Sequence, residues 1–215
     1  MARPLLICDC DEVLMHMVVP FGAWLAADHG IRFALENTSF AGALTRIDSG
    51  DVVPPVEVWP LLDGFFAREM HRQYAVAGAA AALADFSRQA DIVILTNVGD
   101  AHQPARRQQI IAAGMDYPVV GNRGPKGPPL ADLVAQYAPS LTIFVDDLPQ
   151  HHASVAEHVP DAWRLHMVAE PQIADKIPTA RHAHARIDGW AEAHVWINDI
   201  LAGAAPAPAM QKEAE

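Results

Sequence analysis

Three short apolar runs, each closed by a polar residue, set the pattern of this chain. They are Pro4-Leu5-Leu6-Ile7-Cys8 before Asp9, Ile92-Val93-Ile94-Leu95 before Thr96, and Leu141-Thr142-Ile143-Phe144-Val145 before Asp146. Unbroken apolar runs of this length, rich in β-branched residues, predict strands buried on both faces of a parallel sheet. Helical segments are predicted between them. Gly78 to Gln89 is rich in Ala and Leu, Arg106 to Ala113 follows a loop containing Pro104, and Leu130 to Tyr137 follows Pro128-Pro129, which suits a helix start. After the third run come a loop from Asp146 to His151, a short helix, a further strand around Trp163 to Val168 and a late helix from Asp188 to Leu201. Strands alternating with helices imply βαβ units, hence an α/β, Rossmann-like doubly wound parallel sheet with helices on both faces. Such sheets bind ligands beyond the carboxyl ends of their strands, where the strand order reverses. Asp9, Thr96 and Asp146 all stand at that end.

Residues 15–74 break this rhythm. Phe21 to His29 reads as a helix after Pro20 that Gly30 ends, and Glu36 to Asp51 reads as a loop. Val56 to Gln73 is amphipathic, with Trp59, Leu62, Phe65, Phe66 and Met70 near helical spacing, and Pro60 fits that helix only close to its first turn. The expected organisation is an α/β core of 1–14 and 75–202, a small helical cap insertion of 15–74 that overhangs the strand ends as a lid does, and a disordered Ala/Pro-rich tail of 203–215. The plainer reading of the aromatic stripe is packing against the main domain alone.

A chain of 215 residues suffices for one substantial core plus an insertion. With 51% apolar residues it is not intrinsically disordered. A net charge of −11 without a Lys/Arg run argues against nucleic acid as the main partner. Cys8 and Cys10 lie too close in the chain for a sound disulfide and are expected to be reduced core residues. The apolar start is too short for a signal peptide, and no stretch approaches the roughly 20 apolar residues of a membrane span. The expectation is a cytoplasmic protein with no membrane partner.

The polar residues at the strand ends carry the candidate chemistry. Asp9 and Asp11 share one face of an extended segment, where two carboxylates repel unless a cation or a shared proton relieves them. One can serve as nucleophile and the other as general acid/base. Asp146 and Asp147 add further hard oxygen donors, which with Asp9 and Asp11 suit Mg²⁺ rather than zinc. Lys126, in the Pro/Gly-rich loop Gly124 to Pro129, offers a compact positive charge for a phosphoryl group. Thr96 and Asn97 offer a hydroxyl, an amide and backbone N–H groups as an anion cradle. Seven histidines fall between His151 and His194, but none has the spacing of a His-Glu-x-x-His site. They read as surface and loop histidines, with His151, His152 and His16 placed to border a pocket.

In this order, Asp9-Cys10-Asp11-Glu12-Val13-Leu14, Thr96-Asn97, Lys126 and Asp146-Asp147 resemble the four motifs of the haloacid dehalogenase-like hydrolases, over about Leu5 to Val155. The insertion sits where members with a helical C1-type cap carry theirs. The resemblance implies that Asp9 attacks phosphorus, while Asp11 protonates the leaving oxygen, then activates water and lends its backbone carbonyl to Mg²⁺. It further implies that Thr96 and Asn97 hold phosphate oxygens, that Lys126 steadies Asp9 and the transferring group, and that Asp147 and Asp146 hold the metal. Glu12 stands where many members have Gly, and His151 where Asn or Asp is common. Asp11 disfavours the dehalogenase branch. A phosphatase acting on a small phosphate ester is the preferred expectation; a phosphotransferase or mutase, and a non-catalytic binding protein on the same fold, are the alternatives.

Overall fold

The computed structural model describes residues 2–34 and 40–204, so residues 36–39 of the expected loop and 205–215 of the expected tail lie outside it. The first apolar run forms β1 (Leu5–Cys8), and the insertion follows at once. It comprises β2 (Met15–His16), α1 (Val18–His29), β3 (Ile31–Phe33), β4 (Leu44–Arg46), α2 (Pro55–Arg68) and β5 (Tyr74–Ala75). The chain then continues through α3 (Ala79–Phe86), β6 (Asp91–Thr96), α4 (Gln103–Ala112), β7 (Val119–Gly121), α5 (Gly127–Tyr137) and β8 (Thr142–Asp146). It closes with α6 (Pro149–His158), β9 (Trp163–His166), α7 (Pro171–Ala174), β10 (Ala185–Arg186) and α8 (Trp190–Leu201).

Six strands form one parallel sheet in the order β10-β9-β8-β1-β6-β7. β1 is central because the chain leaves it to build β6 and β7 on one side, then returns to build β8, β9 and β10 on the other. The doubly wound topology thus reverses at β1, where Cys8 pairs with both Ile94 and Val145. Alternating side chains of the buried strands feed two cores. Leu6, Cys8 and Ile94 pack with Leu83 of α3, Ile110 of α4 and Trp190 of α8. Leu5, Ile7 and Val93 pack on the other face with Leu130 of α5 and Val155 of α6. Cys8 and Cys10 are free and buried.

The insertion is less purely helical than its composition predicts. β3 and β4 pair antiparallel, which places part of the expected loop in a strand, and β2 pairs antiparallel with β5 as a two-stranded neck. Pro60 lies inside α2, beyond its first turn, and the helix tolerates the lost i→i−4 hydrogen bond with the ring exposed. The aromatic stripe is divided. Phe65 meets Phe21 edge-on at 5.3 Å within a core of the insertion's own, which Val98 and Val168 of the main domain join. Trp59 instead stays 57% exposed. Among the described residues no helix is long and apolar enough to cross a membrane.

Candidate active site

Asp9 follows β1, Thr96 ends β6 and Asp146 ends β8, so the parallel register alone brings three of the predicted residues side by side at the switch in strand order. Asp9 opens onto a cleft of about 1870 Å³, lined also by Asp11, Asn97, Lys126 and Asp147 on the sheet side and by Trp59 and Phe66 on the insertion side.

Carboxylate oxygens of Asp9, Asp146 and Asp147 lie within 4.8 Å of one another, all three residues being buried. Lys126, fully buried at the start of α5, places its Nζ 2.5 Å from Asp9 Oδ1 and 2.7 Å from Asp146 Oδ2. Burial works against its charge, but Asp146 and Asp9 outweigh that and hold its pKa above the ordinary lysine range. One ammonium facing three carboxylates leaves the cluster short of positive charge. Accordingly, burial and then the neighbouring Asp146 drive the Asp147 carboxyl well above its usual range, and burial raises that of Asp9 despite Lys126. A hard divalent cation fits this donor set: the ligands are all carboxylate oxygens, close together and under-neutralised. Asp146 has its oxygens engaged by Lys126 and by the Leu148 N–H at 2.8 Å, whereas Asp147 faces the cleft.

Asp11 is placed differently. Its carboxylate stands outside that cluster and accepts Arg106 Nη2 at 2.9 Å and 3.0 Å on its two oxygens, with Gln73 Nε2 at 2.6 Å from Oδ1. Burial raises its pKa, opposed by Arg106. The Asp11 carboxylate is thus committed to Arg106 and Gln73 rather than to the acidic cluster. Thr96 is fully buried with no hydrogen-bond partner for Oγ1 among the described residues, a donor left without an acceptor at the carboxyl end of β6. The Asn97 amide is already engaged, Nδ2 donating to Gly124 O at 3.0 Å and Oδ1 accepting from Asn122 at 2.8 Å. Its side chain thus holds the loop before Lys126 rather than standing free for an anion.

Glu12 takes the left-handed conformation, φ 59°, that a glycine would adopt most cheaply. Its carboxylate compensates by accepting the Met17 and Val18 N–H groups, both at 2.7 Å, which caps the start of α1. His151 lines the cleft, and burial lowers the pKa of its ring. The expectation that the C-terminal histidines are surface groups fails for three of them: His151, His152 and His166 are buried. His166 accepts the Ala180 N–H on Nδ1, which fixes Nε2–H as the donor to Asp147 O at 2.7 Å, and His152 Nε2 donates to Asp146 O at 3.0 Å. Both therefore aim the acidic loop. Sequence reasoning set His152 at the border of a pocket, whereas it is fully buried and outside the cleft lining, and it missed His166 and Arg106, because a histidine or arginine in a helix or strand carries no local mark of the distant group it meets.

No family model and no curated protein sequence matches the chain. Solved structures do. A phosphoserine phosphatase caught as a phospho-aspartyl intermediate analogue shares 14% identity at a TM-score of 0.57, covering 91% of this chain and 99% of that one. A predicted phosphoglycolate phosphatase of Haemophilus somnus shares 13% at 0.61, covering 90% and 97%. A haloacid dehalogenase-type hydrolase of Bacillus subtilis, bound to magnesium, shares 13% at 0.62, covering 92% and 100%. The likeness at these identities is one of fold.

Proposed function

We propose that this chain, built on the fold of the haloacid dehalogenase-like hydrolases, is a magnesium-dependent phosphomonoesterase that works through an aspartyl-phosphate on Asp9. The observation that carries the reading is the convergence of four separate chain segments. Asp9, Lys126 and Asp147 surround one buried, under-neutralised point at the edge of a cleft, and Thr96, whose hydroxyl has no partner among the described residues, ends the neighbouring strand. The neighbours that include two phosphatases and a magnesium-bound hydrolase support the class. The proposed organisation is the core with residues 15–74 as a cap beyond the neck of β2 and β5.

Asp9 attacks phosphorus, forming one P–O bond as the bond to the ester oxygen breaks. Asp11 gives its proton to that oxygen, which leaves as an alcohol. Water then attacks the phosphorus of the aspartyl-phosphate, Asp11 takes the water's proton, and the Asp9 carboxylate departs to regenerate the site. Lys126 and the Thr96 hydroxyl stabilise the charge spread over the equatorial oxygens. Bound Mg²⁺, held by Asp9, Asp147, the Asp11 carbonyl and Asp146 directly or through water, would supply charge neutralisation for an anionic substrate.

Phosphate release from an aryl phosphate and a panel of phosphorylated sugars, nucleotides and organic acids tests the reading. Turnover should require Mg²⁺, stop with chelator and vanish in Asp9→Asn while circular dichroism stays unchanged. Wild-type-like turnover by that variant, with deamidation excluded, or silence across the whole panel, would sink it.

A further inference from the structure

Arg106 is the largest polar group of the core that the mechanism above leaves without a task. It is fully buried on α4 and is not among the residues that line the cleft. Its Nη1 donates to Gln109 Oε1 at 2.9 Å, Gln73 Oε1 at 3.1 Å and Cys10 Sγ at 3.2 Å. Its guanidinium lies 5.2 Å from the centroid of the Phe66 ring. Nη2 is given wholly to Asp11. A buried arginine whose one ion-pair partner among the described residues is the proposed acid/base is an expensive arrangement to keep for packing alone, since an apolar side chain of similar volume is usually as stable.

Counting lone pairs shows what the arrangement does. An ionised carboxylate has about four acceptor sites, two per oxygen. On Asp11, Oδ1 accepts from both Gln73 and Arg106 and is saturated, while Oδ2 accepts from Arg106 alone. We infer that Arg106, with Gln73, is a positioning residue that fixes the Asp11 carboxylate and leaves Oδ2 as the one oxygen able to carry the exchanged proton. The inference rests on the phosphatase reading. Gln73 precedes β5 of the neck, and Gln109 Nε2 donates to Met70 O at 2.6 Å, so the clamp joins the insertion to the core at the acid/base itself. In the first chemical step the Oδ2–H bond breaks and its proton goes to the ester oxygen as the P–O bond opens. In the second step a proton of water returns to Oδ2.

The test uses the full chain and reads kcat/KM, which reports the leaving-group step, for phenyl phosphate and for p-nitrophenyl phosphate, whose phenol is the more acidic. Arg106→Lys keeps the buried charge balanced but loses the Nη1 contacts to Gln73 and Gln109 that hold the cation in place. It should lower kcat/KM for phenyl phosphate on the order of 10- to 10²-fold, a share of what general acid catalysis supplies, and much less for p-nitrophenyl phosphate. In an Asp11→Asn background the same change should add no further loss. Gln73→Leu, which disturbs the clamp without touching its charges, should show the same leaving-group selectivity at smaller size and stands as the second variant if Arg106→Lys does not fold. Equal losses on both esters, or an additive loss in Asp11→Asn, would overturn the positioning role while leaving the phosphatase standing. Failure of the parent enzyme to hydrolyse either ester or any member of the panel removes the function and this role with it.

Discussion

Thr96 shows most directly how a single side chain separates stability from function. A buried hydroxyl without a partner costs folding free energy, on the order of 1–3 kcal/mol. Its persistence at the end of β6 is explained if a phosphoryl oxygen completes it. Thr96→Val keeps the shape and removes the orphan, so its melting temperature should equal or exceed that of the parent. Its kcat/KM should fall roughly 10- to 10²-fold, the worth of a hydrogen bond to a charged group. A variant that loses stability instead, with activity intact, would show that the hydroxyl serves the fold. Glu12 makes the converse point. The backbone there needs a positive φ, and the residue that supplies it also supplies a carboxylate cap for α1. The position therefore does for the insertion what a glycine could not.

At the scale of elements, what the sequence made legible was whatever is written locally. The three buried strands and the helices that follow them appear within a few residues of their predicted bounds, because a run such as Ile92 to Leu95 has no exposed alternative. β7 and β10 sit at the sheet edges and are short, and β3 with β4 lies among polar residues, so none of them carries a periodic pattern long enough to read. Motif residues at strand ends were legible for the same local reason. The groups that orient them were not, since Asp146 and His152, or Asp147 and His166, meet only through the packing of α6 and β9 against β8. These histidines give the acidic loop a pH dependence. Burial lowers the His152 pKa to about 3 and also depresses that of His166. The unfolded chain, with histidine pKa near 6.5, then binds more protons below that pH than the folded chain does. The stability from keeping His152 neutral is present above about pH 6.5 and is lost as pH falls toward its folded value, amounting to about 2 kcal/mol by pH 5. Denaturant unfolding at pH 7 and pH 5 should show this loss, and His152→Asn, which can still donate to a carbonyl but does not titrate, should reduce it. An undiminished loss in that variant would place the acid sensitivity elsewhere.

For the molecule as a whole, the decisive quantity is the charge gathered where the sheet topology reverses. The fold brings the ends of β1 and β8 together for topological reasons and so forces Asp9, Asp146 and Asp147 into one buried cluster with a single lysine. The sign of the resulting pH dependence is opposite to that of the histidines. Asp147 has its folded pKa raised above the unfolded value, so between the two the folded state binds more protons and stability falls as pH rises. At neutral pH the cluster therefore weakens the metal-free protein, and relief by a cation should appear as heat stability without any substrate. With Mg²⁺ at about 100 times its dissociation constant the gain is about 2.7 kcal/mol, or roughly 5–10 °C for a chain of this size. Asp147→Asn removes both the repulsion and a ligand. In the metal-free state it should melt above the parent at pH 7, and its response to Mg²⁺ should shrink or disappear. A parent protein indifferent to Mg²⁺, or an Asp147→Asn variant that melts lower than the parent without metal, would mean that Lys126 alone balances the cluster, and the case for a divalent ion at the strand ends would fall.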